Sequence, residues 1–115
     1  MILLDEYIAA LDAYESKFYN LIPNVSTNNL KAFLTVILDI EKDFSQKILL
    51  DAFARITSTC KDKNICSLFF DFVKTIERRE DFSGMLFAVS NAYTRRSFDR
   101  IIKDITNELD KRGEK

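Results

Sequence analysis

Arg95, Arg96, Arg100 and Lys103 come closest, by type and spacing, to a chemistry in this 115-residue chain. No acid interrupts the sequence from Phe82 to Phe98, and the cations gather at the end of that stretch. Arg96, Arg100 and Lys103 are spaced i, i+4, i+7, so a continuous helix places them on one face. Such a ridge can track a phosphate backbone, with Tyr93 as a stacking group and Asn91 and Thr94 as polar contacts. The plainer reading is a solvated helix face balanced by Asp99 and Asp104. The chain's net charge of −1 selects no partner. A few cations on such a chain bind nucleic acid weakly alone, and matter most where neighbouring subunits of a ribonucleoprotein assembly complete a groove.

Other chemistries find less support. Histidine is absent, which removes the commonest general base, the commonest metal ligand and any Ser-His-Asp or Cys-His arrangement. Cys60 and Cys66, without histidine, cannot close a four-ligand zinc site. They read as a loop thiol and a thiol partly packed near a helix start. A bond between them stays open, because they flank a short loop and spacing does not supply the geometry a disulfide needs. Carboxylates gather at Asp39, Glu41 and Asp43 and again at Glu77, Glu80 and Asp81, but at helix ends and on polar faces. Asp43 and Asp81 are accounted for as helix caps. Two isolated glycines make neither a phosphate loop nor a dinucleotide fingerprint. The expectation is a non-enzymatic protein with no cofactor, no metal site and no small-molecule substrate.

The elements that must position these residues are helices. Only 2 Gly and 1 Pro are present, too little punctuation for the turns of a β or α/β domain of this length. An apolar fraction of 47% is globular and supports one core. Leu4, Tyr7, Leu11, Tyr14, Phe18 and Leu21 repeat in steps of 3 and 4, a heptad stripe with Asp5, Asp12, Glu15 and Lys17 off it. Pro23 stops that helix. The next starts in the capping cluster 26–29 and carries a wide apolar stripe, Leu30, Phe33, Leu34, Val36, Ile37, Leu38 and Ile40, which suits a central helix.

Asp43 and Gln46 resemble a capping box for a third helix with Ile48, Leu49, Ala52, Phe53 and Ile56 inside. A fourth follows the loop 58–64, with Ile65, Leu68, Phe69, Phe72, Val73 and Ile76 inward and Arg78-Arg79 at its end. Asp81 caps a fifth, with Phe82, Met85, Leu86, Val89 and Tyr93 inside. Gly84 there weakens the first turn or admits a neighbouring backbone. Phe98, Ile101, Ile102, Ile105 and Leu109 continue the pattern in a shifted phase, read as a break around Thr94–Ser97. Most aromatics fall on the stripes, Tyr19 and Tyr93 being the two expected partly in solvent.

The sequence thus predicts an all-α, compact bundle of five or six helices over about 2–22, 28–42, 44–57, 65–79, 82–94 and 97–111, in a single domain spanning 1–115. The start, Met1-Ile-Leu-Leu-Asp5-Glu6, lacks the basic region of a secretory signal, and no apolar run is long enough for a bilayer. Unpaired cysteines fit a cytoplasmic location. The function expected is that of an adaptor, inhibitor or small subunit whose helical surface meets a protein partner or a second copy. The alternative is a nucleic-acid-contacting subunit using Tyr93, Arg95, Arg96, Arg100 and Lys103.

Overall fold

The computed structural model describes residues 3–41 and 46–113. Within them lie α1 (Leu4–Leu21), α2 (Thr27–Ile40), α3 (Gln46–Thr59), α4 (Lys63–Glu77) and α5 (Gly84–Lys111), with 3-10 turns at Ile22–Asn24 and Arg78–Asp81. The described residues form an all-α bundle of five helices, with no strand among them. No helix among them is long and apolar enough to cross a membrane.

The heptad stripe of α1 packs as its spacing requires: Tyr7, Leu11 and Phe18 are buried. Phe18 joins the helices, its ring 5.8 Å from Phe33 of α2 and 5.7 Å from Phe72 of α4. Phe33 reaches Phe69 at 5.6 Å, and Phe72 reaches Phe98 of α5 at 5.4 Å. This chain of offset and edge-on aromatic contacts is the centre of the core. Of the wide stripe expected on α2, Leu30, Phe33, Val36, Ile37 and Ile40 are buried and Leu34 partly so, whereas Leu38 is exposed. Its start is capped by Ser26, whose hydroxyl accepts from the Asn29 amide at 3.3 Å. After α1, Pro23 leads the chain through a 3-10 turn, as its missing donor and fixed φ demand.

Several expectations are corrected. The break at 94–97 does not occur: α5 is one helix of 28 residues. Its buried stripe runs Ser90, Thr94, Ser97, Phe98, Ile101, Ile105 and Leu109 without a phase jump. The apparent jump arose from counting only apolar residues, while the inward positions of the first half are small and polar. Thr94 Oγ1 bonds the Ser90 carbonyl at 2.8 Å and the Tyr7 hydroxyl at 2.6 Å, so these two buried hydroxyls are satisfied. Tyr7 also sets its ring edge-on to Phe82 at 5.6 Å. Burial raises the Tyr7 phenol above its usual range, against the Thr94 hydrogen bond and the nearby Arg79 charge.

Met85 and Leu86, expected inside, are 82% and 51% exposed. Asp81 does not cap α5; it ends the 3-10 turn, and Ser83 stands at the cap position. Gly84 has φ +58° with nothing within 4 Å of a Cβ there, so a left-handed backbone and not a close approach explains the glycine. Asp62, read as loop, caps α4 by accepting from the Asn64 and Ile65 amides. Arg78 and Arg79 follow α4 in the 3-10 turn, and Arg79 is only 6% exposed. Cys60 lies in the short connection between α3 and α4, as expected of a loop thiol, but its side chain is buried. The capping box at Asp43 and Gln46 lies outside the residues and side chains described.

α1 and α5 run side by side and parallel. Tyr7 meets Thr94, Glu15 meets Ser97 and Arg100, and Ile22 meets Arg112. At the far end Arg112 ties the bundle: Nε donates to Glu108 at 2.7 Å, Nη1 to Thr27 Oγ1 and Nη2 to the Ile22 and Pro23 carbonyls.

Candidate interaction surface on the α1–α5 seam

Between α1 and α5 the surface is concave. A depression of about 560 Å³ is lined by Ile8, Asp12, Glu15, Ser16, Tyr19 and Asn20 on one bank and Tyr93, Arg96, Arg100 and Asp104 on the other. A second, of about 350 Å³, shares Tyr19, Asn20 and Asp104 with it and continues toward Pro23 and Lys111. Together they form one furrow along the seam.

Helical geometry explains the banks. On α5 the positions 93, 96, 100, 103, 107 and 111 recur in steps of 3 and 4 and form the flank beside α1. On α1 the positions 5, 8, 12, 15 and 19 do the same. They are the residues beside the heptad stripe, and Phe18 and Leu11 turn inward to leave them at the rim.

The furrow gathers Tyr93, Arg96 and Arg100 of the anticipated set. Arg96 lies over the Tyr93 ring at 5.6 Å. Lys103 is exposed on the same flank of α5, outside the furrow lining. Arg95 is separated from it by the 100° step between consecutive helical residues. Its guanidinium reaches the other way, to the Glu41 carbonyl at the end of α2, at 3.4 Å.

What sequence reasoning missed is the opposite bank. Glu15 accepts from Arg100 at 3.2 Å and from the Ser97 hydroxyl at 3.1 Å. Asp12, Asp104 and Arg96 form no ion pair with any described residue. Burial raises the Asp104 carboxyl above the usual aspartate range, although Lys103 and Arg100 pull it down. Tyr19 is 64% exposed at the rim. The available signal was the run of off-stripe acids, Asp5, Asp12 and Glu15, on a single flank of α1. That they face the cations of α5 depends on which helices are neighbours, and spacing along one helix does not carry that.

The remaining chemical groups lie elsewhere. Asp39 pairs with Arg55 across α2 and α3 at 2.9 Å. No group of three Cys, Asp or Glu able to hold a metal ion occurs among the described residues. The Cys66 thiol is pushed up to about 11 by burial first, then by its neighbour Cys60 and the Asp62 charge. Its sulfur points at the Cys60 carbonyl, 3.5 Å away, and both cysteines are free. A thiol so shifted is almost wholly protonated at neutral pH and a poor nucleophile.

Comparison with known proteins gives no match to a family model, a curated protein or a solved structure.

Proposed function

We propose that this chain is a non-enzymatic interaction protein that presents the α1–α5 surface to a macromolecular partner. One observation carries the reading: the furrow brings charges of both signs with no ion-pair partner among the described residues, Asp12, Asp104 and Arg96, to the rim of a concavity beside exposed Tyr19. Aromatic anchors ringed by polar and charged groups are the composition of protein-binding surfaces. The free thiols suit the cytoplasm as its compartment.

The nucleic-acid reading has the Arg96–Tyr93 stack and the flank of Arg100 and Lys103 in its favour. Against it stand Asp12, Glu15 and Asp104, which a phosphate backbone seated in the furrow would meet at close range.

The two readings separate on gentle purification of the tagged chain from a host that encodes it, with the 260/280 nm ratio recorded and companions identified by mass spectrometry. The interaction reading expects a low ratio and an identified protein companion at fixed stoichiometry. Asp12→Lys should release that companion, whereas Lys63→Glu on α4 should keep it. A high ratio that falls after nuclease would overturn the reading in favour of nucleic acid.

A further inference from the structure

The geometry points to a second copy of this chain as the occupant of the α1–α5 surface, an inference that rests on the interaction reading above. The surface is complementary in charge to its own copy under a two-fold axis. The α1 bank carries Asp5, Asp12 and Glu15 and no cation. Lys17 is on the α4 side of α1, over the Tyr14 ring, which in turn packs on Phe72. The α5 bank carries Arg96, Arg100, Lys103 and Lys111 against two acids, Asp104 and Glu108, the second of them already paired with Arg112. A polyanion fits one bank and is repelled by the other, and so does a partner of uniform positive charge. A surface with one bank of each sign is complementary to its own copy.

The symmetry operator follows. A two-fold axis parallel to the seam lays each α1 on the other copy's α5, so acid meets base twice. An axis across the seam lays α1 on α1 and sets acid against acid. The parallel axis also preserves height along the seam. Asp12 and Arg96 line the same depression, bracketed by the Tyr7–Thr94 contact below and the Glu15–Arg100 pair above. Asp12 of one copy therefore stands opposite Arg96 of the other. Neither has an ion-pair partner among the described residues, and Arg96 has only its place over the Tyr93 ring to give up. Ala9 and Ser16 on α1 and Ala92 on α5 are exposed between the charges and let the helices approach. The patch measures about 27 Å along α1 by about 20 Å across two helices, at the small end of stable interfaces. The dimer is weak and salt-sensitive.

Sedimentation velocity tests this, with a charge swap to make it specific. At about 0.5 mM chain and about 20 mM salt, where screening is weak, the wild type should be largely dimeric, and about 0.5 M salt should dissociate it. Asp12→Lys and Arg96→Glu alone should each weaken association at least about ten-fold. An equimolar mixture of the two variants should restore it, because Lys faces Glu and Asp faces Arg in the heterodimer. Unchanged circular dichroism in both variants shows that the fold is intact. A wild-type monomer at the highest concentration, or a mixture no better than its components, overturns the self-association. If that monomer still holds an identified companion that Asp12→Lys releases, the self-association fails and the interaction reading survives. If the companion is indifferent to Asp12→Lys, both fail.

Discussion

In residues 98–109 of α5 the buried side chains are Phe98, Ile101, Ile105 and Leu109; in residues 84–97 they are Ser90, Thr94 and Ser97. Both halves bury a face in the bundle, yet one is filled by large apolar groups and the other by small polar ones. The difference lies in what the neighbour brings. Opposite Thr94 stands Tyr7, whose ring occupies the space against Phe82 and whose hydroxyl needs a partner. A large side chain on α1 calls for a small one on α5, and its polar end calls for a hydroxyl there. Around Phe98 the neighbour is the aromatic core, and volume is what is wanted. Burial along one helix thus follows fit to its neighbours and not hydrophobicity alone.

The largest effect expected from this contrast is at Phe98. Phe98→Ala removes a fully buried ring next to Phe72 and leaves a cavity, at a cost of about 3–5 kcal/mol in urea unfolding. A cost below about 1 kcal/mol, the size of a surface change, would mean that the second half of α5 is not the anchored half.

Thr94→Val comes next. It keeps the shape and removes the hydroxyl, which leaves the Tyr7 phenol buried without its partner and costs about 1–3 kcal/mol. Adding Tyr7→Phe should recover much of that loss, because a buried site without polar groups owes no hydrogen bonds. A Thr94→Val variant as stable as the parent would put both halves of α5 under the same apolar rule.

The same contrast explains what could be read from the residues. The stripe of α1 and the wide stripe of α2 were legible, because every buried position there is apolar and repeats at helical spacing. The continuity of α5 was not: Ser90, Thr94 and Ser97 look like surface, and Met85 and Leu86 look like core. Of the cationic set, the grouping of Arg96, Arg100 and Lys103 was legible from i, i+4, i+7 spacing, whereas Arg95 shares neither flank nor partner with them. The acids that face the ridge were hidden for a different reason. Asp12 and Arg96 lie more than eighty residues apart and meet only because α1 and α5 pack parallel. No local pattern encodes that pairing.

A smaller effect separates satisfied from unsatisfied polar groups. Thr94 has its partners, whereas Asp104 sits in the furrow with none among the described residues. Its folded-state pKa is raised by burial, so the folded chain binds the proton more readily than the unfolded chain. Stability therefore falls as pH rises from the ordinary aspartate range through the raised value, and the penalty is complete above it. Asp104→Asn should remove that slope and raise Tm near neutral pH by about 1–2 °C. A variant that is less stable than the parent at neutral pH would mean that the carboxylate does have a partner in solution.

The smallest effect belongs to the first turns of α5. Tyr7 and Thr94 are level, but α1 begins at Leu4 and α5 at Gly84, so α5 projects about 10 Å beyond the start of α1. Met85 and Leu86 are on that projection, which is why two large apolar side chains remain exposed. Met85→Gln and Leu86→Gln should each change unfolding free energy by no more than about 0.5 kcal/mol. They should leave self-association unchanged as well, because a two-fold axis along the seam keeps levels and sets the second copy's α1 equally short of them. A cost above about 1 kcal/mol in dilute solution would place these side chains under cover within the single chain, and the first half of α5 would then bury apolar groups just as the second does. A cost that appears only at high concentration would place the cover in the partner copy, and the axis would have to lie across the projecting turns instead of along the seam.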